Sequence, residues 1–320
     1  MNRRRGLSLI LAAVFFGTVV ADARCRASPR CCDQPPAWAF GVESGVIFAK
    51  TDEMVEARPE YTADYLSNLT WKTRAALAGI HLGYRAGEIL RMNGKLWYLT
   101  NTWEGTLVNL DYLDSTSDTV THRSVSPSSL VGVGWELSTD FMLLDEAMDG
   151  VFVRSFARLG YRGNYHSWKA RGGDYDYPGS QGEFDDNEDL IRYLVLHQVF
   201  VFGAFAELGQ NDDGLYGRLG GAVSPLSWVR DRDTHVVSAT DYYNTYREGW
   251  YVRPEIAAGM RFGTEFATEV FYEPELQFEF AVTRTLVKTP HGVHHAAESP
   301  NYKMTLHRVG VRLVWSVLSV

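Results

Sequence analysis

The stretch VFYEPELQFEFAVTR, residues 270–284, alternates without a break. Val270, Tyr272, Pro274, Leu276, Phe278, Phe280 and Val282 fall on one side, and Glu273, Glu275, Gln277 and Glu279 on the other. Successive side chains of an extended chain point to opposite faces, so this is a strand whose apolar face is backed by a ladder of acids. A soluble sandwich seldom backs its buried face with so long a polar ladder. A barrel that is apolar outside and polar inside accounts for both faces at once; a water-soluble secreted β-protein is the alternative.

The same pattern recurs elsewhere. GVFVRSFARLGYRG (150–163) sets Val151, Val153, Ala157, Leu159 and Tyr161 against Arg154, Arg158 and Arg162. LHRVGVRLVW (306–315) sets Val309, Val311, Leu313 and Trp315 against Arg308 and Arg312. Strands of this kind lie near 38–50, 73–85, 89–101, 128–143, 150–165, 188–207, 214–230, 246–261, 266–286 and 303–317. That is an even number, as bacterial barrels normally have. The links RAGE, LDEAMD, GQNDDG and FGTEF are short and turn-like, whereas 51–72, 102–127, 166–187, 231–245 and 287–302 are long and polar. Short and long alternate strictly, so every long loop leaves one end of an up-and-down barrel, the end that faces outward from the cell. The fold expected is all-β: a ten-stranded antiparallel transmembrane β-barrel over 38–320 with long extracellular loops.

The chain opens with a basic MNRRR, an apolar LSLILAAVFFGTVV and a small-x-small site at Ala21-Asp22-Ala23. This reads as a signal peptide cleaved after Ala23, too short in its apolar run to span a bilayer. Removing Arg3, Arg4, Arg5 and Asp22 takes the formal charge from −8 to −10. An acidic surface argues against nucleic acid and for cationic partners. Cys25, Cys31 and Cys32 are confined to a loose leader, residues 24–37, so no disulfide staples the body.

Three polar clusters lie on loops that this topology gathers at one mouth. Loop one carries Glu53 in AKTDEMV. Loop two carries Asn109 and Asp111, two apart and therefore on one face, in GTLVNLDYLDS. Loop four carries Asp231, Asp233 and His235 in VRDRDTHVV. No serine or cysteine nucleophile accompanies them, and a single histidine among carboxylates is a poor metal set.

On KTDE, LVNLDYLDS, ARGGDYDY (170–177), SWVRDRDTH (227–235) and the strand order, the sequence resembles the omptin family, outer-membrane endoproteases of Gram-negative bacteria. The resemblance runs over nearly all of 38–315. It implies a ten-stranded barrel in which an aspartate pair faces an Asp-x-His pair across the extracellular mouth. Asp233 and His235 match the Asp-x-His, with His235 as general base towards a water and Asp233 fixing its tautomer. Asp111 matches the second member of the aspartate pair. Asn109 departs from the pattern: it replaces the first carboxylate with a neutral amide that orients water but takes no proton. Glu53 and Asp231 match the two acids of the primary specificity pocket, which implies cleavage after Arg or Lys. His122 falls where the family has an acid on the leaving-group side. No cofactor or metal is implied, but lipopolysaccharide is a family activator held by arginines on the outer wall. Tyr165 and the neighbourhood of Leu196 and His197 stand at those places, so either dependence on the lipid is lost or its site has moved.

The reading is therefore an outer-membrane endopeptidase acting on cationic peptides or basic protein segments, by a water held between Asn109/Asp111 and Asp233/His235. A catalytically weakened or inactive surface adhesin on the same scaffold is the alternative. A passive pore ranks last, because the Glu273–Glu279 and Arg154–Arg162 ladders should fill the narrow lumen with ion pairs.

Overall fold

The computed structural model describes residues 37–56, 65–87, 89–112, 114, 119–148, 150–210, 213–247, 249–263, 265–295 and 300–318. The expected signal peptide, and the leader with Cys25, Cys31 and Cys32, lie outside the described residues apart from Ala37, which already begins the first strand.

The strands are β1 (Ala37–Glu56), β2 (Tyr65–Ala86), β3 (Leu90–Asp111), β4 (His122–Met148), β5 (Val151–Tyr177), β6 (Ser180–Gln210) and β7 (Gly214–His235). They continue as β8 (Thr240–Arg247), β9 (Trp250–Phe262), β10 (Phe266–Thr289), β11 (Gly292–His295) and β12 (Pro300–Leu318). β1 to β7 pair antiparallel in chain order, β8 and β9 together bridge β7 to β10, β11 pairs with β10, and β12 pairs with both β10 and β1. The pairing of Ala37 with Leu318 and of Val55 with Pro300 closes the sheet on itself along the whole of β1. The result is a closed ring of ten staves, the form in which strands cross lipid with their ladder hydrogen bonds made.

Alternation sorts the side chains as the sequence indicates. Leu137, Leu215, Leu219, Val270, Ile80 and Leu208 point outward and are each more than half exposed. So wide an apolar surface is stable against acyl chains and not against water. The inward face carries the charges. Arg162 donates to Glu136 at 2.8 Å and to Glu275; Arg253 donates to Glu136 at 2.6 Å and to Glu255 at 2.6 Å. Arg158 joins Glu255 at 3.1 Å to Asp140 at 2.7 Å. On the other side Arg308 binds Glu43 at 2.8 Å and Glu273 at 3.1 Å, and Arg312 binds Glu43 at 2.9 Å. Trp97 lies between the halves, with Arg162 4.2 Å and Arg308 4.6 Å from its ring. Its indole folds over Gly134, where a Cβ would stand 2.2 Å from the ring; only glycine leaves that space. Arg154 does not join this plug: it pairs with Asp145 at 2.9 Å near the inner turn.

The strands are longer than their alternation suggests. Most of 51–72, 102–127, 166–187, 231–245 and 287–302, read as loops, continues the ladders; 166–187 is a hairpin turning at Pro178-Gly179. Above the lipid the outer face needs no apolar residues, so the period-two contrast fades. Backbone pairing, indifferent to side chains, goes on.

Replacing Arg162 with Met takes from buried Glu275 its closest cation, leaving Arg308 at 3.9 Å, and takes from Glu136 one of its guanidinium partners. The barrel is expected to lose about 3–5 kcal/mol, read as a lower denaturant midpoint by tryptophan fluorescence in detergent.

Candidate active site

The mouth end of β7 carries Asp231, Asp233 and His235 on its luminal face. The outward residues between them pin the strand to its neighbour: Arg232 pairs with Asp241 at 3.0 Å, and Thr234 Oγ1 donates to the same carboxylate at 2.6 Å. The turn at 236–239, closed by Ala239 N–H to the Val236 carbonyl at 3.1 Å, sets the β7–β8 register. Asp231 thus faces Asn244, and Asp233 faces Tyr242. His235 Nε2 lies 2.7 Å from Asp233 Oδ2, with the Tyr242 ring edge-on at 5.3 Å.

The opposite wall is the end of β3. Asn109 Nδ2 donates to Asp111 Oδ2 at 3.3 Å, and Asn109 Oδ1 accepts from Ser67 Oγ at 3.5 Å. The main chain of Asp111 is fixed by Thr121, whose N–H and hydroxyl both donate to its carbonyl, at 2.8 and 2.9 Å. Burial pulls the His235 imidazole down, but the Asp233 charge and hydrogen bond, with a further push from Asp111, leave it raised above its ordinary value. The β3 carboxylate therefore acts on the β7 imidazole across the opening. His122 stands opposite Asp111 on β4, its ring 5.0 Å from Tyr177 and its Nδ1 3.0 Å from Thr121 Oγ1.

Below these pairs lies an acidic pocket. Glu53 on β1 and Asp231 on β7 are both buried. Asn244 joins them: its Nδ2 donates to Glu53 Oε1 at 3.3 Å, and its backbone N–H donates to Asp231 Oδ1 at 3.2 Å. Tyr193 donates its hydroxyl to Asp231 Oδ2 at 2.9 Å. Burial pushes the Asp231 carboxyl up to about 7 against the hydrogen bonds of Tyr246, Tyr193 and Asn244, and Asp233 adds to the rise. Burial, reinforced by the charges of Asp231 and Asp233, holds Glu53 well above the usual carboxylate range. Among the described residues no cation pairs with Glu53 or Asp231. Glu53 Oε2 and Asp233 Oδ1 are buried without a hydrogen-bond partner among them.

The structure brings Glu53, Asn109, Asp111, Asp231, Asp233 and His235 to one mouth, on strands rather than on the loops expected, for the reason given above. No group of three or more His, Cys, Asp or Glu among the described residues is placed to hold a metal. Sequence reasoning missed Tyr193, Asn244, Tyr246 and Tyr302, the buried lining of the pocket. Placing the turn at 236–239 would have found Asn244 opposite Asp231, but VVSAT carries no glycine, asparagine or proline to mark it. On the outer wall Tyr165 pairs with Leu196, whereas His197 turns inward, its Nδ1 2.9 Å from Gln277 Nε2.

The omptin family model matches residues 36–278. The chain belongs to the omptin family. It is 25% identical over 237 residues to Protease 7 of Escherichia coli O157:H7, covering 67% of this chain and 72% of that one. Its fold superposes on the crystal structure of the outer membrane protease OmpT from Escherichia coli with a TM-score of 0.78. That match is 17% identical and covers 88% of this chain and 97% of that one. At the level of the family, this omptin is an outer-membrane protease whose mouth opens to the extracellular side.

The raised Asp231 sets a pH dependence. Folded, this carboxyl keeps its proton to about 7; unfolded, it releases it near the ordinary value of about 4. The folded state thus binds the extra proton between those values, and stability falls as pH rises through that window. Asp231→Asn is expected to lessen the loss between pH 5 and pH 8, as measured by denaturant midpoints of the two proteins at both pH values.

Proposed function

We propose that this omptin hydrolyses peptide bonds beside basic residues with a water activated at the mouth. The observation that carries the reading is the 2.7 Å contact of His235 Nε2 with Asp233, placed where the Asp111 charge also reaches the ring. Nε2 donates its proton to Asp233, so Nδ1 is the nitrogen left to accept one. The side chain keeps 32% of its exposure, which admits water. A water between the walls loses a proton to Nδ1 as its oxygen attacks the substrate carbonyl. The imidazolium that forms is stabilised by Asp233 and faced by Asp111, and it returns the proton to the leaving amine. Asn109 holds Asp111 through an amide N–H instead of sharing a proton with it. The substrate's basic side chain enters the Glu53–Asp231 pocket and supplies the missing charge; cationic peptides and basic protein segments are the fitting partners.

One observation favours the second reading, a binding barrel with weakened or lost catalysis. Asn109 is neutral where the family pattern has a carboxylate, and loss of a charged group of that kind commonly costs about 10²–10⁴ in rate.

Refolding residues 24–320 in detergent, with and without lipopolysaccharide, and offering a quenched peptide with paired basic residues separates the two. Cleavage that disappears in His235→Ala supports the endopeptidase. A silent wild type with an active Asn109→Asp variant establishes the disabled relative. In an active wild type, Asn109→Asp is expected to raise kcat on the order of 10²-fold. The rate is also expected to climb with pH as His235 sheds its proton. The added negative charge should hold that proton longer, so the rising limb of Asn109→Asp moves to higher pH.

A further inference from the structure

The acidic pocket is open to a simple count of its oxygens. Asp231 has both engaged, Oδ1 by the Asn244 backbone N–H and Oδ2 by the Tyr193 hydroxyl. Glu53 has Oε1 engaged by Asn244 Nδ2. The buried acceptors left without a partner among the described residues are Glu53 Oε2 and Asp233 Oδ1, which belong to different carboxylates.

Asn244 is not free to change this. Thr285 donates its hydroxyl to Asn244 Oδ1 at 2.9 Å, with the amide NH2 towards Glu53. The residue lies between Asp231 on β7 and Thr285 on β10, paired with both, and is only 2% exposed. The Thr285 hydroxyl could accept as well as donate, but rotating the amide would set its carbonyl oxygen against the Glu53 carboxylate, and that opposition holds the NH2 towards Glu53.

A guanidinium presents parallel N–H groups that match two oxygens of one carboxylate, whereas an ammonium donates in three separate directions and takes single oxygens from separate acids. We infer that Asn244 determines which basic side chain the pocket accepts, favouring a lysine ammonium over an arginine guanidinium by leaving no carboxylate with both oxygens open. This rests on the reading that the pocket receives the substrate's basic residue. It deepens that reading by dividing the two bases.

The test compares wild type with Asn244→Ala, Glu53→Gln serving as the control for a lost acid. Quenched peptides differ only in lysine, arginine or norleucine before the cut. The wild type should prefer lysine in kcat/KM, and Asn244→Ala, which frees Glu53 Oε1 for a paired contact, should lower the lysine-to-arginine ratio about tenfold. Folding of the variant is established first by tryptophan fluorescence in detergent, and Asn244→Ser, which also removes the amide, takes its place should Asn244→Ala not fold. Cleavage in which arginine equals or exceeds lysine, or a ratio unmoved by Asn244→Ala, overturns the inference and leaves the proposed function standing. Cleavage of norleucine as fast as of either base defeats the specificity reading and the inference with it. Where no peptide is cut, n-pentylammonium and n-butylguanidinium are titrated into the refolded barrels and followed by ligand-observed NMR. Tighter binding of the ammonium to wild type, evened out in Asn244→Ala, supports the inference; equal binding to both proteins, or to neither, overturns it.

Discussion

Charge sealed inside a closed sheet is the constraint from which this molecule is built. A barrel that turns its apolar residues to lipid must put its polar ladder in the lumen, where bare ions are untenable. Arg158, Arg162, Arg253, Arg308 and Arg312 and their glutamates meet that demand by neutralising one another in a nearly continuous run from Asp140 to Glu269. All of these contacts except Arg253–Glu255, which lies within β9, join different staves, so the plug locks the ring as well as filling it. Removing one member leaves another charge stranded, which makes such networks costly to break even where their net contribution to stability is small.

The mouth uses the same alternation and withholds the arginines. Glu53, Asp231 and Asp233 project inward from β1 and β7 as Glu43 and Glu273 do from β1 and β10, yet no guanidinium reaches them among the described residues. Burial then raises the two pocket acids instead of pairing them. Under the proposed function, a basic side chain arriving from outside supplies the partner they lack. The proposed catalytic and binding roles fall to the stretch where the repeating solution of the barrel is left incomplete. The Asp111 charge beside His235 depends on the same device: three staves lie between β3 and β7, and only closure of the ring turns their ends towards each other.

Much of this was legible in particular residues. Val270 to Gln277 gave both faces of β10, and Arg158 and Arg162 gave the luminal ladder of β5, because period-two contrast is strong wherever lipid lies on one side and ions on the other. The contrast failed at 166–187, where polar residues crowd both faces, and at 102–111, where apolar and polar residues share each face, and strands there passed for loops. Asn109, Asp111, Asp233 and His235 stood out through their i, i+2 spacing together with the family resemblance. Tyr193, Tyr246 and Tyr302 did not, since a tyrosine in an alternating strand looks the same facing lipid, water or a pocket.

The sequence by itself determined the barrel, its direction in the membrane and the membership of the mouth residues in one rim, because local alternation and the order of short and long links are properties of the chain read in line. The tertiary structure alone decided which acids meet arginines and which stay unpaired. It also decided that Asn244 and Thr285 close around Glu53 and that Asp111 acts on His235. Those relations join residues far apart in the chain, and their geometry comes from ring closure and strand register, which no single stretch encodes.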